Sequence, residues 1–497
     1  MNFATAAKTN SNTKLTENGA FAYDTTGKAL IDLFAQIGAL RPRTEDEIRS
    51  KFANAFNADP LLATKMLFYA GNIRGGLGER RTFRVCLKWL AKNHPDIVRK
   101  NIVYIPYFNR WDSMFELIGT PVEEDMWETI AIELDYDIAI AVRAKETGKF
   151  ESISLLAKWL PTETASSANT RKLARKCIKN LGMTPRQYRK MLSALRKHLK
   201  VVETSMSANE WDKIQYDQVP SYAMKNYRKA FTRNDADRFA AYQNSLVKGE
   251  AKINASTLFP YDLVHQYMAK GRRSYGARYD VDTIVEAQWK ALPNYVEGEN
   301  NILIMADVSG SMYGRPMETS IGLATYFAQH NKGDYHNLYM TFTNEPHFIQ
   351  LKEGATLADC INTVEMTDVG YNTDLEKAFL YILKHAITNR ISNEDMPKAL
   401  VVVSDMEIDN YLRYHSMDFV DMMKARFEAN GYTLPTLILW NVQARNDTFL
   451  TKHENVFYVS GQAASTFREL CGNLDGKTAW DLMLETLNNE MYDCIEI

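Results

Sequence analysis

The sequence predicts a two-part chain, an all-α helical-repeat N-terminal part followed by an α/β part built on a doubly wound parallel sheet. Three observations predict it. From about Lys28 to Leu292 the apolar residues recur at helical spacing, with few alternating runs. After Asn300 short apolar runs alternate with amphipathic stretches, the pattern of strands and helices that make a helix-covered parallel sheet. The charge divides at the same place. Residues 1–298 hold 45 Lys+Arg against 33 Asp+Glu, and residues 299–497 hold 14 against 28.

In the first part, helices are expected over Thr44–Phe56, Pro60–Asn72, Arg80–Asn93, Glu123–Glu146, Asn169–Asn180, Pro185–Lys200, Asp235–Lys248 and Tyr261–Ala269. Gly, Pro, Asn or Asp punctuate nearly every junction, as in Asn57-Ala58-Asp59-Pro60 and Gly182-Met183-Thr184-Pro185. Medium helices joined by short turns point to a HEAT-like solenoid of stacked helix pairs, although no strict repeat is visible. In the second part, strands are expected at Asn301–Ser309, Asn337–Thr343, Lys398–Ser404, Pro435–Trp440 and Val456–Val459. The helices between and after them are expected at Met317–His330, Asp374–Thr388, Asp418–Asn430 and Ala479–Leu487. The expected organisation is a disordered or extended tail over 1–24, a helical domain over 25–298 and an α/β domain over 299–497.

Composition narrows the function classes. With 45% hydrophobic and 24% charged residues the chain is globular rather than fibrous or disordered. No run reaches the roughly 18 apolar residues of a membrane helix, and the polar start lacks a secretory core, so no membrane partner is expected. Cys86, Cys177, Cys360, Cys471 and Cys494 are scattered without a CxxC pair, which argues against a zinc site or disulfide framework and fits a cytoplasmic protein.

The tips of the second part carry the most specific chemistry. The first strand ends in Asp307-Val308-Ser309-Gly310-Ser311; Gly370-Tyr371-Asn372-Thr373-Asp374 opens a later helix; and the Lys398–Ser404 strand runs into Asp405. Ligands of open α/β sheets sit at such carboxyl ends. Mg²⁺ demands a tight octahedron of oxygens and keeps several waters. Hydroxyls of Ser309, Ser311 and Thr373 would be neutral ligands, with Asp307 and Asp405 acting largely through water. This set resembles the metal-ion-dependent adhesion site of the von Willebrand factor A family, whose five positions are all present. The resemblance implies a Rossmann-like fold and a Mg²⁺ or Mn²⁺ cofactor that takes an acidic ligand from a protein partner. Asp307, Asp374, Asp405, Glu407 and Asp409 crowd one rim, so metal-dependent hydrolysis is the competing reading. With no histidine expected there, and His336, His347 and His385 on other elements, no catalytic residue is assigned and a non-enzyme is expected.

The helical part holds the other unusual feature. Arg171–Lys200 contains 11 Lys+Arg and no acidic residue. Arg171, Lys172, Arg175, Lys176 and Lys179 line one helix, and Arg186, Arg189 and Lys190 the next, each opposite an apolar face. An unrelieved positive face points to phosphate contacts. Arg74, Arg80 and Arg81 surround a glycine-rich loop read as an anion seat, and Arg272 and Arg273 form a further cluster. The alternative is a basic patch docked on the acidic C-terminal part.

A helical-repeat part joined to a von Willebrand A domain resembles the Ro (TROVE) class of RNA-binding proteins. The Gly75-Gly76-Leu77-Gly78-Glu79-Arg80 loop and the Asn109-Arg110-Trp111-Asp112 segment resemble more closely a DUF2828-like family. The Ro resemblance implies a ring of helical repeats, closed by the von Willebrand domain, that holds single-stranded or small structured RNA in a ribonucleoprotein. The expected function is RNA binding of this type. The competing reading is a metal-dependent protein–protein assembly or structural factor, including a viral or phage component, without RNA binding.

Overall fold

A computed structural model describes residues 13–269, 278–343, 345–366, 373–409, 418–472 and 474–497. The chain divides into two compact units. The first combines residues up to Ala70, Gly75–Thr82 and Ala255–Asp493; the second combines Gly71–Arg74, Phe83–Asn254 and Cys494–Ile497. Neither unit is bounded at 298/299, where composition and periodicity place the boundary.

The first unit is organised by a six-stranded sheet. Its strands are β3 (Ile302–Asp307), β4 (Leu338–Phe342), β5 (His347–Gln350), β6 (Ala399–Ser404), β7 (Thr436–Asn441) and β8 (Phe457–Ser460), in the order β5-β4-β3-β6-β7-β8. All neighbours are parallel except β4 and β5. The sheet is therefore mixed, not wholly parallel as expected. The missed strand β5 is four residues long and only Ile349 of it is buried, so it lacks the continuous apolar run that reveals the others. Every residue of β3 and β6 is buried, as central parallel strands covered on both faces must be.

Packing explains why residues expected in the helical domain belong here. Helix Arg315–His330 is buried from Pro316 to Ala328, because β3 covers one side and helix Pro260–Met268 the other. A Cβ on Gly322 would stand 3.1 Å from the Pro260 carbonyl carbon, so the two helices cross at a distance tighter than almost all Cβ contacts. Both oxygens of the buried Glu286 carboxylate accept backbone N–H groups, at 2.8 Å from Leu357 and 3.0 Å from Ala358. They thereby cap helix Leu357–Met366 from a segment seventy residues earlier.

The N-terminal segment is similarly tied to the sheet. Residues Thr13–Leu15 (β1) and Phe21–Tyr23 (β2) pair as an antiparallel hairpin, so this stretch of the expected tail is ordered. Tyr23 N–H donates to Phe449 O at 2.8 Å, and Tyr23 O accepts Phe449 N–H at 3.0 Å. Gly38 lies so close to β8 that a Cβ would fall 2.6 Å from Ser460 O. Arg43 is buried against Ala444 O at 2.9 Å and Asp447 at 2.5 Å.

Among its described residues the second unit is built of helices and loops, with no strand. Helices Glu123–Thr147, Ala168–Asn180, Pro185–His198 and Ala236–Val247 fall within a few residues of their expected bounds where the periodicity is strong, and Ser221–Asn234 is a helix outside the expected set. Thr184 and Gln187 make a reciprocal capping box with Pro185 at the first helical position, the start signal read from the sequence. Tyr216, Phe231, Phe239 and Tyr242 pack as an aromatic cluster at the C-terminal end of this unit. No described helix in either unit is long and apolar enough to cross a membrane.

Glu469 in the first unit gives a pH prediction. One carboxylate oxygen is buried without a hydrogen-bond partner among the described residues, and burial pushes the group up from 4.5 to about 7. A carboxyl whose folded value is raised stabilises the fold fully below the unfolded value, and that stability is lost as pH rises toward the folded one. The thermal midpoint should therefore fall between pH 4.5 and about 7. Glu469→Gln should make that fall shallower and raise the midpoint at neutral pH, as measured by calorimetry across the window.

Candidate functional site

The five expected metal-site residues come together at the carboxyl ends of β3 and β6. Asp307 ends β3 with no exposed surface, and Asp405, 1% exposed, follows β6. Ser309 and Thr373 are also buried, and Ser311 is half-buried. The Ser309 hydroxyl lies 3.2 Å from the Ser311 hydroxyl and accepts the Thr373 hydroxyl at 3.0 Å, so three hydroxyls from two loops form one cluster. Asp307 accepts Ser309 N–H at 2.9 Å on one oxygen and the Ser404 hydroxyl at 2.6 Å on the other. Asp405 accepts Glu407 N–H at 3.1 Å and an Arg445 N–H at 2.5 Å.

Sequence-local geometry builds these loops. Gly310–Met312 makes a turn of 3₁₀ helix that folds Ser311 back beside Ser309. After β6 the chain turns at Met406, whose φ of +65° is a conformation rare outside glycine and concentrated at functional sites. Asp374 caps helix Leu375–Asn389 by accepting Lys377 N–H at 2.8 Å, which anchors Thr373 just before it. Asp409 accepts Thr373 N–H at 2.6 Å and its own N–H donates to Thr373 O at 3.1 Å, which joins the second and third loops.

The electrostatics of this cluster suit a cation. Burial, and then the Asp405 charge, push Asp307 up to about 7. Asp405 is raised by burial as well, with Arg445 opposing the shift. Two carboxylates held in a dry position, with neutral oxygens beside them, are a donor set that a hard divalent cation suits. The other rim carboxylates are occupied: Asp374 caps a helix, Asp409 holds Thr373, and Glu407 accepts Glu17 N–H at 2.8 Å and the Thr448 hydroxyl at 3.1 Å. His336 pairs with Glu353, while His385 packs on Phe348, a residue of the same strand as His347.

Sequence reasoning missed the role of the N-terminal hairpin and of Arg445. Thr16 donates through its hydroxyl to Ile408 O at 2.6 Å, Asn18 donates to Glu407 O at 2.8 Å, and Gly19 bridges to Asp409. All three residues after Met406 are thus held by the turn between β1 and β2. The only cue in the sequence is the run of hydrogen-bonding side chains Thr16-Glu17-Asn18, which cannot name its partner. A separate group, Asp418, Asp421 and His453, brings three ligand atoms within 4.8 Å of one another, and His453 already pairs with Asp421 at 2.9 Å.

The expected cationic residues are distributed over both units. In the second unit Lys172, Arg175, Lys176, Lys179, Arg186, Arg189 and Lys190 are exposed, while Ala174, Cys177, Ile178, Tyr188, Leu192 and Leu195 are buried on the opposite faces. No ion pair among the described residues engages Lys172, Arg175, Lys179, Arg186 or Lys190; Arg189 pairs with Glu163 at 3.2 Å. Arg171 is half-buried and spends its guanidinium on Ala165 O and Ser166 O, as Arg196 does on Ala157 O and Leu160 O. These two arginines are structural before they are anything else. Arg74, also in the second unit, is exposed and reaches Tyr107 O at 3.4 Å. Arg80 and Arg81 belong to the first unit, where Arg81 holds Arg43 O at 2.8 Å. The glycine-rich loop is not the open anion seat expected. Leu77 and Glu79 N–H bond to Tyr69 O and Ala70 O, Arg74 N–H bonds to the Asn72 side chain, and the buried Glu79 carboxylate pairs with Arg41. Arg272 and Arg273 lie outside the described residues.

With this geometry in place, the comparisons are informative about kinship. The chain matches two families of unknown function. Residues 16–108 and 170–301 match the model described as Domain of unknown function (DUF2828), in line with the expected resemblance. Residues 301–481 match Domain of unknown function (DUF7788), a span that begins at β3 and carries all five metal-site residues. Uncharacterized protein L728 of Acanthamoeba polyphaga mimivirus is 29% identical over 480 residues, covering 89% of this chain and 81% of that relative. The first match begins at Thr16, the first residue of the turn that holds the third loop.

The hairpin contacts yield a prediction about loop order. Thr16→Val combined with Asn18→Ala removes two bonds, each contributing about 1 kcal/mol. Amide hydrogen exchange at Glu407–Asp409 should then accelerate by roughly tenfold or more in the intact protein. Unchanged protection there would mean that β6 and Thr373 hold the loop without the hairpin.

Proposed function

We propose that this chain is a binding protein of Ro-like design, with a von Willebrand A-type unit that holds Mg²⁺ or Mn²⁺ for an acidic partner group and a helical-repeat unit that takes RNA. The observation that carries the first half is the convergence of Asp307, Ser309, Ser311, Thr373 and Asp405 at the ends of two adjacent central strands. The bound cation would supply an electrophilic position for an anionic oxygen of a partner. Asp307 and Asp405 contribute the negative charge that attracts it, and the three hydroxyls contribute neutral oxygens. Ser404 orients Asp307 through a 2.6 Å bond, and Arg445 offsets part of the charge on Asp405. Because the surrounding carboxylates are engaged in capping and loop closure, binding is favoured over hydrolysis.

The RNA half rests on a different observation, the exposed face of helices Ala168–Asn180 and Pro185–His198, cationic and free of acidic residues. The second unit carries 30 Lys+Arg against 21 Asp+Glu, and this face holds much of the excess. Such a surface attracts phosphates without regard to sequence and with steep salt dependence.

Two measurements separate these halves. Wild-type protein should bind Mn²⁺, read by calorimetry or electron paramagnetic resonance, and Asp307→Ala should weaken that binding at least about tenfold. RNA affinity should be unchanged by Asp307→Ala or by EDTA. A variant with Arg175, Lys176 and Lys179 changed to glutamate should lose RNA binding and keep Mn²⁺. No Mn²⁺ binding by the wild type would sink the metal assignment, and no RNA binding at low salt would leave the acidic-partner reading alone.

A further inference from the structure

The helical unit carries an exposed aromatic ring where its cationic helices end. Phe150 lies in the loop after helix Glu123–Thr147, with 64% of its surface exposed. A single exposed apolar ring is common on a protein surface, and what distinguishes this one is the company it keeps. The ring is not adrift. It stacks on His198 with centroids 5.1 Å apart and planes 14° from parallel, and His198 is itself fixed by a 2.7 Å hydrogen bond to Glu151 O. The Lys200 ammonium lies 5.4 Å from the Phe150 centroid. His198 and Lys200 close the stretch Arg171–Lys200 with its 11 Lys+Arg and no acidic residue.

An exposed ring backed by a second ring, with an ammonium group beside it at the end of a cationic run, has the two components that single-stranded nucleic acid requires. A π-face stacks the base, and cations neutralise the phosphates on either side. An apolar protein partner would account for the ring but not for the acid-free cationic run beside it. A purely electrostatic polyanion surface would account for the cations but not for the ring. We propose that Phe150, backed by His198 and with the Lys200 ammonium 5.4 Å from its centroid, is a base-stacking platform for single-stranded RNA. This deepens the RNA half of the proposed function and rests on it. Tyr104, Tyr107, Phe108, Trp111, Tyr222 and Tyr227 are the aromatics that stand out in the sequence. Of these Phe108 and Trp111 are core, and Tyr227 is half-buried on Glu203.

The platform makes a signature that charge alone does not. A stacked base is worth about 1–3 kcal/mol and is insensitive to salt, whereas each phosphate contact adds about one to the slope of log K against log salt. The probe is a fluorescein-labelled single-stranded RNA titrated against the full chain at about 50 and about 200 mM salt. Phe150→Ala should weaken binding roughly tenfold at both concentrations with the slope unchanged. Lys197→Gln with Lys200→Gln should lower the slope, and Phe150→Trp should restore wild-type affinity. An RNA carrying 2-aminopurine should be quenched on binding by the wild type and less so by Phe150→Ala. Inorganic polyphosphate, which has no bases, should bind both proteins equally. Because the ring is exposed, Phe150→Ala should keep the wild-type melting temperature, which checks that the fold is intact. Equal RNA affinity of Phe150→Ala and wild type would overturn the platform while leaving the RNA reading in place. Absence of RNA binding by the wild type would overturn both.

Discussion

Two carboxylates at the carboxyl ends of adjacent central strands set the terms for the rest of the first unit. Asp307 and Asp405 have almost no contact with solvent, and the Asp405 charge adds to the cost of ionising Asp307. A position that dry exists only because β3 and β6 lie in the middle of the sheet with helices on both faces. Charge there is tolerable only with compensation close by. The compensation is arranged in layers: Ser309 and Ser404 bond to Asp307, Arg445 bonds to Asp405, and Ser311 and Thr373 add hydroxyls to the cluster.

Much of the first unit serves to hold those layers in register. The loop after β6 has to turn sharply, and does so at Met406 with a left-handed backbone. A strained turn is kept only where its surroundings over-determine it. Here they do so through Thr373 and Asp409 on one side and through the hairpin residues Thr16, Glu17 and Asn18 on the other. The first residues of the described chain thus bear on a site formed almost four hundred residues later. The same logic keeps Ala255–Leu292 with the sheet, since Gly322 and Glu286 can be explained only by close neighbours from the other side of β3 in the sequence.

The second unit depends on a different balance. Its cationic helices bury narrow apolar faces and leave like charges side by side, an arrangement that costs stability unless a polyanion relieves it. Where an arginine in this stretch can reach backbone carbonyls it does so, as Arg171 and Arg196 show. Lysines and arginines with no such outlet remain on the surface. That division separates backbone-bound from exposed cations within one run of basic residues.

The sequence by itself determined the strands β3, β4, β6, β7 and β8, the strong helices with their caps, and the five residues that gather at the strand ends. Each of these is encoded locally, in a periodicity or in a motif at a strand end. It also made the basic run plain, because net charge needs no fold to be counted. Tertiary structure alone decided where the units divide, that β5 runs antiparallel at the sheet edge, and that the glycine-rich loop spends its amides internally. It alone placed Thr16–Gly19 on Glu407–Asp409, Arg445 on Asp405 and Phe150 on His198. These are contacts between residues far apart in the chain, made by single side chains or single hydrogen bonds. Periodicity reports which face of an element is buried, and it carries no information about which distant residue meets that face.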